Sequence, residues 1–181
     1  MSDFVINDGV LEKYIGLDKS VVIPNGVVKI GASSFQDCTH LQSVEIPEGV
    51  CSVGSYAFYR CEALYSIGLP DSVRSIGARA FKNCTSLYSI RLPNDIKSLC
   101  AYTFEGCTSL KSVRLPKGLE AITIFTFSGC KSLERLEIPS SVKRIGDGAF
   151  KGCDSLVICT ARGSVADEYA RKNGIAVEYT N

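Results

Sequence analysis

Apolar residues return along most of the chain with a fixed step of 23 positions. All six prolines keep that step, and so do six of the eight phenylalanines, six cysteines and six leucines. Four residue types that share one period indicate a stacked structural repeat. The four columns are Pro24, Pro47, Pro70, Pro93, Pro116 and Pro139; Phe35, Phe58, Phe81, Phe104, Phe127 and Phe150; Cys38, Cys61, Cys84, Cys107, Cys130 and Cys153; and Leu41, Leu64, Leu87, Leu110, Leu133 and Leu156.

One unit, residues 24–46, contains two extended pieces and a bend. Residues 41–46 fit the pattern L-x-x-L-x-L, in which the apolar residues point inward and the intervening ones outward, and this predicts a short strand. A second extended piece is predicted at 27–31, on the opposite side of the coil. Residues 32–38 are predicted to form one helical turn that drives Phe35 inward. Stacked units of this kind predict an α/β solenoid with short parallel strands.

Both ends of the array differ from the repeat. Two short apolar stretches flank the turn Asn7–Gly9, which predicts a β-hairpin. Near the other end, Ser164 is a good helix N-cap residue and Gly174 a helix stop signal, and residues 175–179 would form a last strand. We therefore divide the chain, as one folded unit, into an N-terminal hairpin cap (1–23), six repeats (24–161) and a C-terminal helix-strand cap (162–181).

The repeat also has a recognisable consensus. Residues 69–90 read Leu-Pro-Asp-Ser-Val-Arg-Ser-Ile-Gly-Ala-Arg-Ala-Phe-Lys-Asn-Cys-Thr-Ser-Leu-Tyr-Ser-Ile, which resembles the BspA-type leucine-rich repeat. The resemblance covers essentially the whole chain. It implies a horseshoe-shaped solenoid from a bacterium or protozoan, displayed at the cell surface, that binds host proteins or other cells. It implies no catalytic or cofactor-binding residues.

Charge and hydropathy exclude some partners. The chain has 20 basic and 19 acidic residues, and this balance does not favour nucleic acid or an anionic membrane. No apolar run approaches the ~20 residues needed to span a bilayer. The N-terminus lacks the basic and apolar regions of a secretory signal. The sequence as written thus predicts a cytoplasmic protein, whereas the resemblance implies the cell surface or secretion.

Nine cysteines and one histidine are the candidate reactive residues. The six periodic cysteines share one apolar column and lack paired zinc-ligand spacing, so we expect small, reduced core residues. Cys51 occupies an otherwise charged column and should be the most exposed thiol. His40 lies in a polar, turn-like column and is expected at the surface. No nucleophile–base arrangement is suggested, so we expect no enzyme activity, metal or cofactor.

Outward positions of the longer strands supply the first candidate binding surface. We call it the strand patch, and we expect it on the concave side of the solenoid. Tyrosine and arginine are the residues of interface hot spots, and two arginines in adjacent coils would favour an acidic partner group. The alternative is a solvated sheet face with cross-strand pairs. The strand patch consists of Tyr65, Tyr88, Arg91, Lys111 and Arg114.

The expected helical turns supply a rival surface, the turn patch. It consists of Tyr56, Tyr102, Ile124 and Phe125, and the alternative is that these side chains pack locally on adjacent coils.

The sequence thus favours a non-catalytic protein- or peptide-binding module with a role in adhesion or in host or cell interaction. A structural spacer without a specific ligand is the second hypothesis. We expect a monomer, with a weak dimer left open.

Overall fold

The computed structural model describes residues 3–180, which form a β-solenoid of about seven turns. Each coil contributes two short strands, and equivalent strands of successive coils lie side by side in parallel. A longer strand series runs along one side of the coil. Its members are β3 (Ser20–Val22), β5 (Ser43–Glu45), β7 (Ser66–Gly68), β9 (Ser89–Arg91), β11 (Ser112–Arg114), β13 (Arg135–Glu137) and β15 (Val157–Thr160).

The second series, of two-residue strands, runs along another side. Its members are β4 (Lys29–Ile30), β6 (Ser52–Val53), β8 (Ser75–Ile76), β10 (Ser98–Leu99), β12 (Ala121–Ile122) and β14 (Arg144–Ile145). The N-terminal hairpin consists of β1 (Phe4–Asn7) and β2 (Val10–Tyr14), and β2 also pairs in parallel with β4. Asp8 and Gly9 both have positive φ (46° and 74°), as a type I′ hairpin turn requires.

The core is a stack of identical side chains, because every coil places the same column inward. The six phenylalanines of the repeat are at most 4% exposed. Neighbouring rings stack with centroids 5.0 to 5.5 Å apart. Tyr14 continues the stack at one end, 5.2 Å from Phe35, and the Tyr169 ring meets Phe150 edge-on at the other end. The apolar period thus produces one continuous core.

The helical turn predicted for each repeat is wrong. In the coil that contains Phe58, Tyr56 and Arg60 have φ of 59° and 57°, which a right-handed helix does not allow. The N–H groups of Tyr56 and Phe58 donate to carbonyls of the next coil at 3.1 and 2.8 Å, while that of Tyr59 donates to the Tyr56 carbonyl. The segment is therefore three overlapping turns, closed by the N–H groups of Ala57, Tyr59 and Cys61. Hydrogen bonding between coils takes the donors that a helix would need.

The C-terminal segment leaves the coil through α1 (Val165–Lys172) and returns as β16 (Ala176–Tyr179), which pairs with β15. The Ser164 hydroxyl accepts the Asp167 N–H at 3.2 Å and thus serves as the N-cap. The Gly163 N–H and the Arg171 guanidinium both bind the Asp167 carboxylate and lower its pKa. Within residues 3–180, α1 is the single α-helix, and no helix is long and apolar enough to cross a bilayer.

The last long strand departs from the 23-residue register. Strict periodicity puts Cys159 in the inward column, but Leu136 pairs with Ile158, one residue earlier, and Glu137 pairs with Cys159. Ile158 fills the core position, fully buried. Thr160, which strict periodicity puts on the outer face, is buried and donates its hydroxyl proton to the Ile138 carbonyl at 3.0 Å. The larger apolar side chain takes the core site because it removes more apolar area from water.

Candidate functional site

The strand patch lies on the outer face of the longer strands. Tyr65 and Tyr88 directly precede β7 and β9 and are 53% and 55% exposed. Arg91 ends β9 and Arg114 ends β11, and the parallel ladder pairs them directly. Lys111 precedes β11 and is also exposed. The fold thus places all five side chains on three adjacent coils, with the two tyrosines at one end of the strands and the two arginines at the other.

The cations of the strand patch are not equivalent. The Arg91 guanidinium donates to both carboxylate oxygens of Asp71, at 3.1 and 3.3 Å. The Lys111 ammonium lies 3.8 Å from the Glu134 carboxylate. Within residues 3–180, Arg114 has no carboxylate oxygen within 4.0 Å. The two arginines therefore differ, because Arg114 alone among the three cations lacks an internal anion within residues 3–180.

The sheet beneath the strand patch is interrupted. Backbone ladders join β9 to β11 and β13 to β15, but none joins β11 to β13. Two shallow clefts open along this break. One, of 440 Å³, has Tyr88, Lys111 and Glu134 in its wall. The other, of 500 Å³, is bordered by Arg114 and Lys117. The strand patch is therefore an uneven surface with two clefts, and charged residues line both of them.

The turn patch is organised differently. Its side chains form a column of stacked planar groups that also includes Arg79. The Tyr102 and Phe125 rings are stacked 5.4 Å apart at 6°. The Arg79 guanidinium lies 4.4 Å from the Tyr102 ring centroid and 5.4 Å from that of Tyr56. Because the planar groups face one another, the faces of these rings are occupied by neighbouring coils, and their edges remain for a partner.

Ile124 and Phe125 differ in how much of each side chain a partner could reach. Ile124 is 41% exposed, so it is the open apolar residue of the turn patch. Phe125 is half-buried, and its ring lies so close to Gly148 that a Cβ added there would meet it at 2.5 Å. The stacked column Tyr56, Arg79, Tyr102 and Phe125 therefore packs coil against coil, which was the alternative expectation for these side chains.

The cysteine column lines the inside of the turn segments. From Cys61 to Cys153, each thiol donates to the carbonyl of the phenylalanine 26 residues earlier, with Sγ–O distances of 3.0 to 3.2 Å. Burial raises the pKa of these thiols, to about 11 for Cys153 and further for Cys84 and Cys107. These thiols therefore serve as weak internal donors, and all nine cysteines of the chain are unpaired.

We expect Cys51 to react first with a thiol reagent on the native protein, because its side chain is partly exposed while the column cysteines are buried. Burial also raises the pKa of Cys100, the other partly exposed thiol. Labelling followed by peptide mass spectrometry gives the order of reaction. Cys51→Ser should remove the fast phase, and concentrated guanidinium chloride should make all nine thiols reactive. A column cysteine that reacts as fast as Cys51 would contradict this assignment.

The remaining candidate sites are clusters of metal-ligating side chains, the histidine, and clefts outside the strand patch. No cluster of three or more His, Cys, Asp or Glu side chains in the described part of the chain could hold a metal ion. His40, expected at the surface, is half-buried, and its Nε2 atom is enclosed without a hydrogen-bond partner. A further cleft, of 640 Å³, lies where the last coil meets α1, at Gly152 and Tyr169. It exists because no further coil covers the last turn segment.

Sequence reasoning missed four residues that matter at the clefts: Asp71, Asn94, Leu115 and Lys117. Asp71, Asn94 and Lys117 share one column, directly after the proline of each repeat. The column changes from an acidic to a neutral to a basic residue, and this change of charge could have been noticed in the sequence. Its significance depends on a contact across 20 residues, between Arg91 and Asp71, which periodicity does not reveal.

The stacked coils, the 23-residue repeat and the surfaces they present define a leucine-rich-repeat solenoid. The model of the BspA type leucine rich repeat region matches the chain in six copies, over residues 6–100 and 75–169. The chain therefore belongs to the BspA-type leucine-rich repeat family. No curated protein matches it.

Solved structures of bacterial proteins share the fold. The leucine rich repeat protein TpLRR of T. pallidum is 30% identical, with a TM-score of 0.78, and the match covers 93% of this chain and 89% of that one. A leucine rich cell surface protein from Faecalibacterium prausnitzii is 30% identical, with a TM-score of 0.64 over 86% of this chain. A leucine-rich repeat protein from Eubacterium ventriosum is 29% identical, with a TM-score of 0.62 over 81% of it. The match spans 52% and 46% of the last two proteins.

Proposed function

We propose that this chain is a non-catalytic binding module that recognises a protein or peptide through the strand patch. The observation that carries the proposal is the exposure of Tyr65 and Tyr88, each more than half accessible, on the face where the two clefts open. Exposed tyrosines supply large contact areas at low entropic cost. The turn patch is the weaker candidate, because its planar groups already stack on one another.

Three further features belong to the proposal. The hairpin (residues 1–23) and the helix-strand segment (162–181) act as caps of one folded unit, on a horseshoe-shaped coil whose concave side carries the strand patch. The module acts at the cell surface in adhesion or host interaction, which is supported by the cell-surface description of the F. prausnitzii relative. A monomer suffices for binding.

A spacer without a ligand is the second candidate, favoured by the internal ion pairs of Arg91 and Lys111.

The test is capture of partners with three immobilised forms of the full chain. These are the unaltered protein, the double variant Tyr65→Ser/Tyr88→Ser, and Ile124→Ser as a control of similar exposure on the turn patch. Extracts of bacterial and host cells and of host matrix serve as sources, with quantitative mass spectrometry as readout. We expect a partner whose recovery falls about tenfold, equivalent to ~1.4 kcal/mol, with the double variant alone.

The other outcomes are equally informative. A partner lost with Ile124→Ser but kept by the double variant would move the binding surface to the turn patch. If no protein is retained above an unrelated solenoid bait, the spacer hypothesis replaces the binding module. Thermal unfolding of both variants should be nearly unchanged, because exposed side chains contribute little to stability.

A further inference from the structure

The coils that carry Arg91 and Arg114 differ at the position that directly follows the proline of the repeat. Arg91 binds Asp71, 20 residues earlier, which follows the proline of its repeat. Arg114 stands one coil further on, and Asn94 occupies the position that corresponds to Asp71. Asn94 and Arg114 line the same cleft. The neutral amide therefore leaves the Arg114 guanidinium without the carboxylate that its neighbour has.

Two further donors border this cleft. In the preceding coil, the Leu92 N–H donates to the Arg114 carbonyl at 3.0 Å. The equivalent N–H of Leu115 has no acceptor within residues 3–180, and no ladder joins β11 to β13 at this point. Lys117 lines the same cleft. Arg114, Leu115 and Lys117 thus line one cleft, and a carboxylate can accept from all three kinds of donor that they carry, a guanidinium, a main-chain N–H and an ammonium.

The rest of the cleft limits what can carry that carboxylate. Val113, Leu115 and Pro139 supply an apolar floor, which suits an aliphatic neighbour of the acidic residue. Glu137 lines the same cleft and has no cation within 4.0 Å in residues 3–180. Its charge disfavours a ligand that brings more than one acidic group into the cleft.

We infer that the cleft at Arg114 binds an aspartate or glutamate side chain of a peptide ligand, which takes the place that Asp71 has beside Arg91. The inference rests on the proposed function, since it names the partner chemistry of the strand patch. An exposed ion pair contributes little by itself. The Leu115 N–H and the apolar floor therefore supply much of the affinity, and a short peptide should bind in the millimolar range.

The test is a titration of the isotope-labelled full chain, followed by amide chemical shifts in two-dimensional NMR. The probes are the capped peptides acetyl-Leu-Asp-Leu-amide and acetyl-Leu-Asn-Leu-amide. We expect saturable shifts at Arg114, Leu115 and Lys117 with the aspartate peptide, and affinity lower by about tenfold or more with the asparagine peptide. Equal binding of the two peptides, or saturable shifts confined to other surfaces, would overturn the inference. The absence of saturable shifts would overturn it as well.

Two matched variants exchange the residues that distinguish the coil of Arg114 from the coil of Arg91. Asn94→Asp should supply the missing carboxylate and weaken the aspartate peptide by about tenfold, with the fold intact by circular dichroism. Asp71→Asn should release Arg91 and add a second set of shifts near Leu69 and Arg91. If Asn94→Asp leaves the affinity for the aspartate peptide unchanged, the inferred carboxylate site at Arg114 is wrong. The proposed function survives that result if partner capture still depends on Tyr65 and Tyr88.

Discussion

Replacing Phe81 with alanine should lower the free energy of unfolding by about 3–5 kcal/mol. The ring is fully buried in the middle of the stack, 5.3 Å from the Phe58 ring and 5.5 Å from the Phe104 ring, with interplanar angles of 2° and 4°. Alanine removes the apolar area and leaves a cavity between two flat neighbours. Those neighbours cannot close the gap, because backbone hydrogen bonds fix the spacing of the coils on both sides.

Urea unfolding followed by far-ultraviolet circular dichroism measures the loss. Tyr88→Ala, an aromatic-to-alanine change in the same repeat at a 55% exposed position, is the control and should cost no more than ~0.5 kcal/mol. Because each coil contacts only its neighbours, the central substitution should also weaken the coupling between the two halves of the solenoid. A loss no larger than that of Tyr88→Ala would mean that the stack does not carry the stability of the array.

Gly77→Ala should destabilise the fold by more than ~2 kcal/mol, although alanine adds a single methyl group. A Cβ at this position would lie 2.4 Å from the backbone nitrogen of Ser55 and 2.7 Å from the carbonyl carbon of Gly54. Backbone atoms of the preceding coil cannot turn away as a flexible side chain would. The two coils must therefore separate, and they lose the inter-coil hydrogen bond from the Gly77 N–H to the Val53 carbonyl at 2.8 Å.

Cys100→Ala is the matched control, because Cys100 stands one coil further along in the same column and already carries a side chain. The ladder of short strands is broken between β8 and β10, between these two coils, which accommodates that side chain. Thermal unfolding of both variants should show a large shift for Gly77→Ala and a small one for Cys100→Ala. Similar shifts would mean that close coil contact is not what selects glycine in this column.

The sequence by itself determined the repeat and its core. Every coil places an equivalent residue in an equivalent environment, so a column occupied only by phenylalanine or only by leucine has to face the shared interior. The hairpin turn at Asp8 and Gly9 was readable for a local reason, since those residue types tolerate positive φ. Membership of the BspA-type family followed from the same columns, because the consensus is a record of which positions face inward.

Other features were decided by the tertiary structure alone. Residues 32–38 and their equivalents form turns because neighbouring coils accept their N–H groups, and a single repeat has no neighbour. Ile158 occupies the inward column in place of Cys159, because two registers of the last strand offered an apolar side chain there and packing decided between them. In the strand patch, Arg91 and Arg114 looked alike in sequence. Only the fold placed a carboxylate beside the first and an amide beside the second, since electrostatic pairing depends on distance in space and not on position in a repeat.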